Sequence, residues 1–158
     1  MYNVVSVADE ILRIGKSENI PITPLKLMKL VYITHGWHLA IKDDDLFQER
    51  IEAWKFGPVI PDLYHATKSF GRDPIPFDLV NDESNVLSCE TRAFIKSVFD
   101  KYGHLSGFSL SQLTHQSGTP WDRVYKDSVM HIEIPDSLIK EHYREKLNES
   151  GRRNPSAA

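Results

Sequence analysis

Between Thr23 and Lys42 the sequence TPLKLMKLVYITHGWHLAIK places Leu25, Leu27, Met28, Leu30, Val31, Tyr32, Ile33, Trp37, Leu39, Ala40 and Ile41 around the whole circumference of a helical wheel. A helix with no broad polar face needs neighbours on every side, so the pattern predicts a buried central helix around which the remaining chain is built. Thr23 suits the N-cap and Pro24 the first helical position, where a missing N–H has no intrahelical partner to lose. Lys26, Lys29, Thr34, His35 and His38 interrupt the apolar run. Gly36 sits in its middle, where glycine costs about 1 kcal/mol against alanine unless a neighbour packs close, and close packing is the expectation there. The run ends at Asp43, Asp44 and Asp45, and is too polar for a bilayer, which requires about 20 predominantly apolar residues.

Upstream, Val4, Val7, Ala8, Ile11, Leu12 and Ile14 recur at helical spacing, with Asn3 or Ser6 as cap and Gly15 near the stop. Asn19-Ile20-Pro21-Ile22 breaks that pattern. From Leu46 to Phe56 the helical period is lost and the residues partly alternate, which predicts a strand ended by Gly57-Pro58. Pro61 then opens a short helix that closes at Gly71, and Arg72–Val86 is rich in turn residues and reads as a connector. Ser88 caps an amphipathic helix that stops at Gly103. Two short helical pieces follow, SLSQLTHQSG and TPWDRVYKDS, and a last helix runs from Pro135 to about Leu147. Asn148–Ala158 has no apolar periodicity and is expected to be a disordered tail. The expected architecture is mainly α, a single helical domain over 1–147 around the central helix, with a small β element inserted.

The 158 residues suffice for one well-buried core. A formal net charge of −3 gives no electrostatic footprint for nucleic acid, which normally needs a basic domain or stripe. Cys89 is the only cysteine, so neither a disulfide framework nor a cysteine zinc site can form within the chain. With no signal peptide or transmembrane run in view, a cytoplasmic location is expected.

Candidate chemistry is sparse. His35 and His38 lie three apart on one helix, close enough for two metal ligands, but no HExxH and no helix carboxylate accompanies them, so packed histidines are favoured over a metal pair. His115 stands before the Gly-Thr-Pro-Trp turn that carries Trp121, an arrangement able to fix an imidazole against backbone. Ser106, Ser109 and Ser111 lack a nucleophile elbow, and neither a P-loop nor Gly-x-Gly-x-x-Gly occurs, so no catalytic residue, cofactor or metal is assigned. Trp54, Phe56, Pro58 and Tyr64 concentrate large apolar groups around Gly57, and such groups dominate interface hot spots. They suit a partner-binding surface or, equally, a seal between the β element and the central helix.

Three blocks carry a family resemblance: KLMKLVYITHGWHLA, LFQERIEAWKFGPVIPDLY and LTHQSGTPW, in that order. They resemble the signature blocks of the SocA-like antitoxin family, also called Panacea domains and formerly grouped with phage-associated GepA-like proteins. The resemblance implies a mostly helical antitoxin of a bacterial or prophage toxin–antitoxin system, not an enzyme, that neutralises a cognate toxin by direct binding. It also implies a toxin encoded by an adjacent gene and, in some members, an adaptor role that delivers the toxin to a cytoplasmic protease. It supplies no catalytic set to carry over. Two alternatives compete: a small hydrolase or other enzyme using His115 with a nearby carboxylate, and a DNA-binding regulator, against which the acidic balance and the missing helix-turn-helix signature count. In the tail, Ala157-Ala158 resembles a degradation handle, with an ordinary frayed terminus as the alternative.

Overall fold

In the computed structural model, residues 1–76, 79 and 86–153 are described, the last two by backbone only. The chain is mainly α. The first helix, α1 (Val4–Ser17), starts where the Asn3 side chain accepts from the Val5 N–H, and it buries the stripe Val4, Val7, Ala8, Ile11, Leu12 and Ile14. The central helix, α2 (Pro24–Lys42), is capped by Thr23, which accepts from the Lys26 N–H, and ends at Asp43 in a left-handed conformation. Leu27, Leu30, Val31 and Trp37, the residues that an unpartnered side would have left in water, are all buried.

That burial follows from the neighbours. Helices α1, α3 (Pro61–Thr67), α4 (Cys89–Tyr102), α5 (Gly107–His115) and α7 (Asp136–Arg153) all contact α2, and so does the second strand of the hairpin. A Cβ at Gly36 would lie 2.3 Å from the Tyr143 ring of α7, so glycine is what lets the two helices meet there. The Trp37 indole N–H donates to the Tyr102 hydroxyl at 3.0 Å and ties α2 to α4 within the core. Asn3, Thr23 and Ser88 all act as the caps that the sequence suggested.

The β element departs from the expected long strand. Only β1 (Glu52–Trp54) and β2 (Gly57–Val59) are regular, and they pair antiparallel with Glu52 opposite Val59 and Trp54 opposite Gly57. Leu46, Phe47 and Ile51 are buried in irregular chain, and Glu52 and Ala53 are buried side by side, so the apparent alternation was not a two-faced strand. Gly57-Pro58 starts a return strand and does not end the element. Gly57 has φ +123°, which side-chain-bearing residues rarely adopt, and Lys55-Phe56 form the turn before it. The other edge of β1 is taken by the segment before α7: the Ala53 N–H donates to the Ile132 carbonyl and the Ile134 N–H to that of Ile51.

A single 3-10 turn, Lys68–Phe70, follows α3, and α6 (Pro120–Val124) begins at Thr119, whose hydroxyl accepts from the Asp122 N–H. Most of the expected connector lies outside the described residues. Its ends are fixed: Ile75 is buried and donates to the Ile22 carbonyl, and Leu87 is buried before α4. The last helix passes Leu147 and continues to Arg153, which corrects the expectation of disorder from Asn148. No proline stops the helix between Asn148 and Arg153, Gly151 weakens it by only about 1 kcal/mol against alanine, and loss of apolar periodicity alone does not end a solvent-facing helix. Ala157 and Ala158 lie outside the described residues.

Candidate functional site

The Gly57-Pro58 corner is held from three sides. From α2, Lys29 reaches beneath the hairpin and its Nζ donates to the Pro58 carbonyl at 2.9 Å. From α5, Ser111 Oγ donates to the Phe56 carbonyl at 3.0 Å, and from α6 the Trp121 indole N–H donates to that of Trp54. The φ of Gly57 calls for glycine, and a Cβ there would also lie 2.9 Å from Lys29 Nζ and displace the lysine head from its bond to Pro58. Lys29 is only 1 % exposed, and burial pushes its ammonium down to about 8.

With the backbone fixed in this way, side chains are free to face outward. Phe56 is 70 % exposed and Tyr64 38 %, while Trp54 is half-buried and meets Tyr64 edge to face at 4.9 Å. Pro58 is buried, so of the four candidate anchors it supports the corner from behind while the other three reach the surface. Trp54, Phe56 and Tyr64 border a cavity of about 410 Å³ whose floor includes Met28 of α2. On the other side of Trp54 a second cavity, about 490 Å³, is lined by Tyr125, Val129 and Met130.

Trp54 is also anchored by its indole N–H, which donates to Glu52 at 3.0 Å. Burial works to raise the Glu52 pKa, but hydrogen bonds from Trp54, Arg50 and His131 outweigh it and hold the carboxylate below its ordinary value. Glu52 stands between Ile51 and Ala53 and two positions before Trp54, and that short apolar setting is the one signal in the chain that the carboxylate is buried.

His115 and Trp121 do come together. The His115 Nδ1–H donates to the Ser111 carbonyl and the imidazole packs edge to face on Trp121 at 5.5 Å, with Trp121 stacked on Tyr125. Among the described residues no carboxylate is in hydrogen-bond contact with His115, so the geometry is that of a packed histidine supporting the hairpin.

His35 and His38 diverge. His38 Nδ1–H donates to the Asp44 carbonyl at 2.7 Å, whereas His35 Nε2 bonds to Asp136 at the start of α7 at 3.0 Å. His35, Asp45 and Asp136 each bring a possible ligand atom within 4.8 Å of the others, a trio the sequence did not suggest. Burial and the hydrogen bond shared with Asp136 raise the pKa of Asp45. His35 stacks on Phe47, and its Nδ1 is buried without a partner. A metal on Nε2 would need Nδ1 to carry a proton with no acceptor, while metal-bound imidazoles almost always donate from the second nitrogen. The donor chemistry therefore favours a latch between α2 and α7.

Fold and surface together define a helix-dominated protein built on a buried post, with an aromatic corner facing outward. The model of the "Antitoxin SocA-like, Panacea domain" family matches residues 27–122, from α2 through most of α6. Antitoxin SocA of Caulobacter vibrioides (strain NA1000 / CB15N) is 30 % identical over 152 residues, covering 88 % of this chain and 81 % of that protein. No solved structure matches. The chain belongs to the SocA-like Panacea antitoxin family, which supports an antitoxin role and implies a toxin partner. No helix among the described residues is long and apolar enough to cross a membrane.

Proposed function

We propose that this chain is the antitoxin of a bacterial or prophage toxin–antitoxin pair, and that it neutralises its toxin by direct binding and not by enzymatic chemistry. The toxin-facing surface in this reading is the corner that presents Trp54, Phe56 and Tyr64. One observation supports it above the others: Phe56 is 70 % exposed although the hairpin backbone beneath it is fixed by bonds from α2, α5 and α6, and Tyr64 of α3, 38 % exposed, packs on Trp54 of the same hairpin. A rigid backbone that leaves large aromatic rings in water loses little entropy when a partner covers them. The enzyme alternative lacks this support, because His115 spends one nitrogen on backbone and its ring on packing against Trp121.

Co-expression with the product of the adjacent gene tests the reading through growth rescue and co-purification. Phe56→Ala and Tyr64→Ala should each weaken capture by about 2 kcal/mol, roughly thirtyfold, with circular dichroism and melting temperature unchanged. Unchanged affinity for both would move the interface elsewhere. Delivery of the toxin to a protease is a further part of the proposal, and it requires the toxin's half-life to shorten when the antitoxin is present.

A further inference from the structure

The cavity beside the aromatic corner carries a charge pattern unlike that of the whole molecule. The chain is acidic, with a formal net charge of −3. Yet the residues that line this cavity of about 410 Å³ include Lys29, Lys55 and Lys68 and, among the described residues, not one aspartate or glutamate. Lys55 and Lys68 are exposed at its rim, with Lys55 Nζ 5.6 Å from the centre of the Phe56 ring and Lys68 Nζ 3.4 Å from His65 Nδ1. Neither rim ammonium is in a salt bridge among the described residues, although Lys42, Lys96 and Lys140 elsewhere all are.

The walls between these cations are apolar. Leu25 is 46 % exposed on the first turn of α2, Met28 and Val59 lie deeper, and Trp54, Phe56 and Tyr64 close the other side. The apolar surface continues past Leu25: Gly107 at the start of α5 packs against it, and the next residue, Phe108, is also exposed. Ammonium groups without a salt bridge among the described residues, set around an exposed aromatic wall, form a site for a segment that brings both complements: carboxylates for the rim and an aliphatic or aromatic side chain for the cavity.

We infer that this cavity docks an acidic segment of the partner protein, one that inserts an apolar side chain between Leu25, Phe56 and Tyr64 while its carboxylates meet Lys55 and Lys68. The inference rests on the direct-binding reading above and adds the chemistry of the partner's contact segment. Salt should weaken the contact, because exposed rim charges are screened within about 10 Å at ordinary ionic strength. Lys29 contributes from beneath the wall, where its Nζ is committed to Pro58, so the selecting charges are the two at the rim.

Two synthetic peptides test this on the full chain. They share one Trp and two Leu positions and differ only in having Glu or Lys at every charged position; binding is read by fluorescence anisotropy at low and high salt. The acidic peptide should bind at least about tenfold more tightly at low salt, and lose that advantage at high salt. The double variant Lys55→Glu/Lys68→Glu should abolish the preference, while Lys42→Glu/Lys101→Glu, which changes the net charge equally but at the end of α2 far from Leu25, should keep it. Equal binding of the two peptides, or an acidic preference that survives Lys55→Glu/Lys68→Glu, overturns the inference. Capture of the adjacent-gene product separates this failure from that of the function: wild-type protein that captures the toxin while showing no acidic preference leaves direct binding intact and removes only the docking chemistry.

Discussion

Lys29 offers a direct test of how the corner is held together. Its ammonium is buried with a single hydrogen bond, to the Pro58 carbonyl, and burial lowers its pKa from 10.5 to about 8. Between those values the unfolded chain holds the proton and the folded chain has released it. Stability therefore rises with pH across this window, and the penalty for burying the charge is fully present below about pH 8. A gap of that size corresponds to about 3 kcal/mol. Lys29→Met removes the charge and keeps most of the volume, but it leaves the Pro58 carbonyl without its donor, at a cost of about 1–3 kcal/mol. Near pH 7 the two effects nearly cancel, so the variant should match or slightly exceed the parent in stability.

The difference between the two curves is more informative than either curve. Urea unfolding followed by tryptophan fluorescence, repeated from pH 7 to pH 10.5, should show the parent gaining about 3 kcal/mol on the variant across the window. Tyr2, whose pKa is lowered to about 8 by hydrogen bonds with Ser88 and Thr91, titrates in the same range. It is common to both proteins and drops out of the difference. Parallel curves would refute the reasoning, since they would mean that Lys29 reaches water in the folded state and that the hairpin does not sit on a buried cation.

Two further substitutions probe the core. Gly36→Ala would place a Cβ 2.3 Å from the Tyr143 ring, and overpacking should lower stability by about 1–3 kcal/mol, read as a lower urea midpoint; Gly36→Ala/Tyr143→Leu should recover part of the loss. Tyr102→Phe removes the acceptor of the buried Trp37 indole N–H and should cost about 1–3 kcal/mol, whereas an unchanged midpoint would show that the N–H finds water.

Periodicity made the central helix legible because α2 is buried on all sides, and a fully apolar wheel has one physical explanation. Gly36 was legible for the same reason: a helix-weakening residue in such a run needs a close neighbour, and Tyr143 is that neighbour. The hairpin was only half legible. A mixed stretch such as Leu46 to Ala53, in which Leu46, Phe47, Ile51 and Ala53 alone are apolar, looks alike whether it is a strand or irregular buried chain, and the partner that covers β1's second edge, Ile132–Ile134, comes about eighty residues later. A longer separation, 101 residues between His35 and Asp136, hid the trio of His35, Asp45 and Asp136, since nothing near His35 in sequence announces α7. At the corner, Trp54, Phe56 and Tyr64 were visible as a cluster of aromatics, but the lysine rim was not. Lys29, Lys55 and Lys68 come from α2, the turn and the end of α3, and only the fold brings them around one cavity.

The corner divides its residues into two kinds with opposite tolerance to change. Gly57 is fixed by its φ, a Cβ there would come within 2.9 Å of Lys29 Nζ, Pro58 is buried, and the carbonyls of Trp54, Phe56 and Pro58 are each occupied by a donor from another element. Substitution at these backbone-setting positions disturbs packing on α2, α5 and α6 together. Phe56, Lys55, Tyr64 and Lys68 are different, because their exposed side chains leave the hydrogen bonds of the hairpin unchanged when they are replaced. Surface changes away from packed features usually stay within about 0.5 kcal/mol. An array of substitutions at 55, 56, 64 and 68 should therefore shift partner affinity widely at nearly constant melting temperature, whereas Gly57→Ala should lower the melting temperature before any binding is measured. A set of variants in which affinity and melting temperature fell together at the four exposed positions would mean that these side chains serve as part of the core, and that the toxin is met by another face.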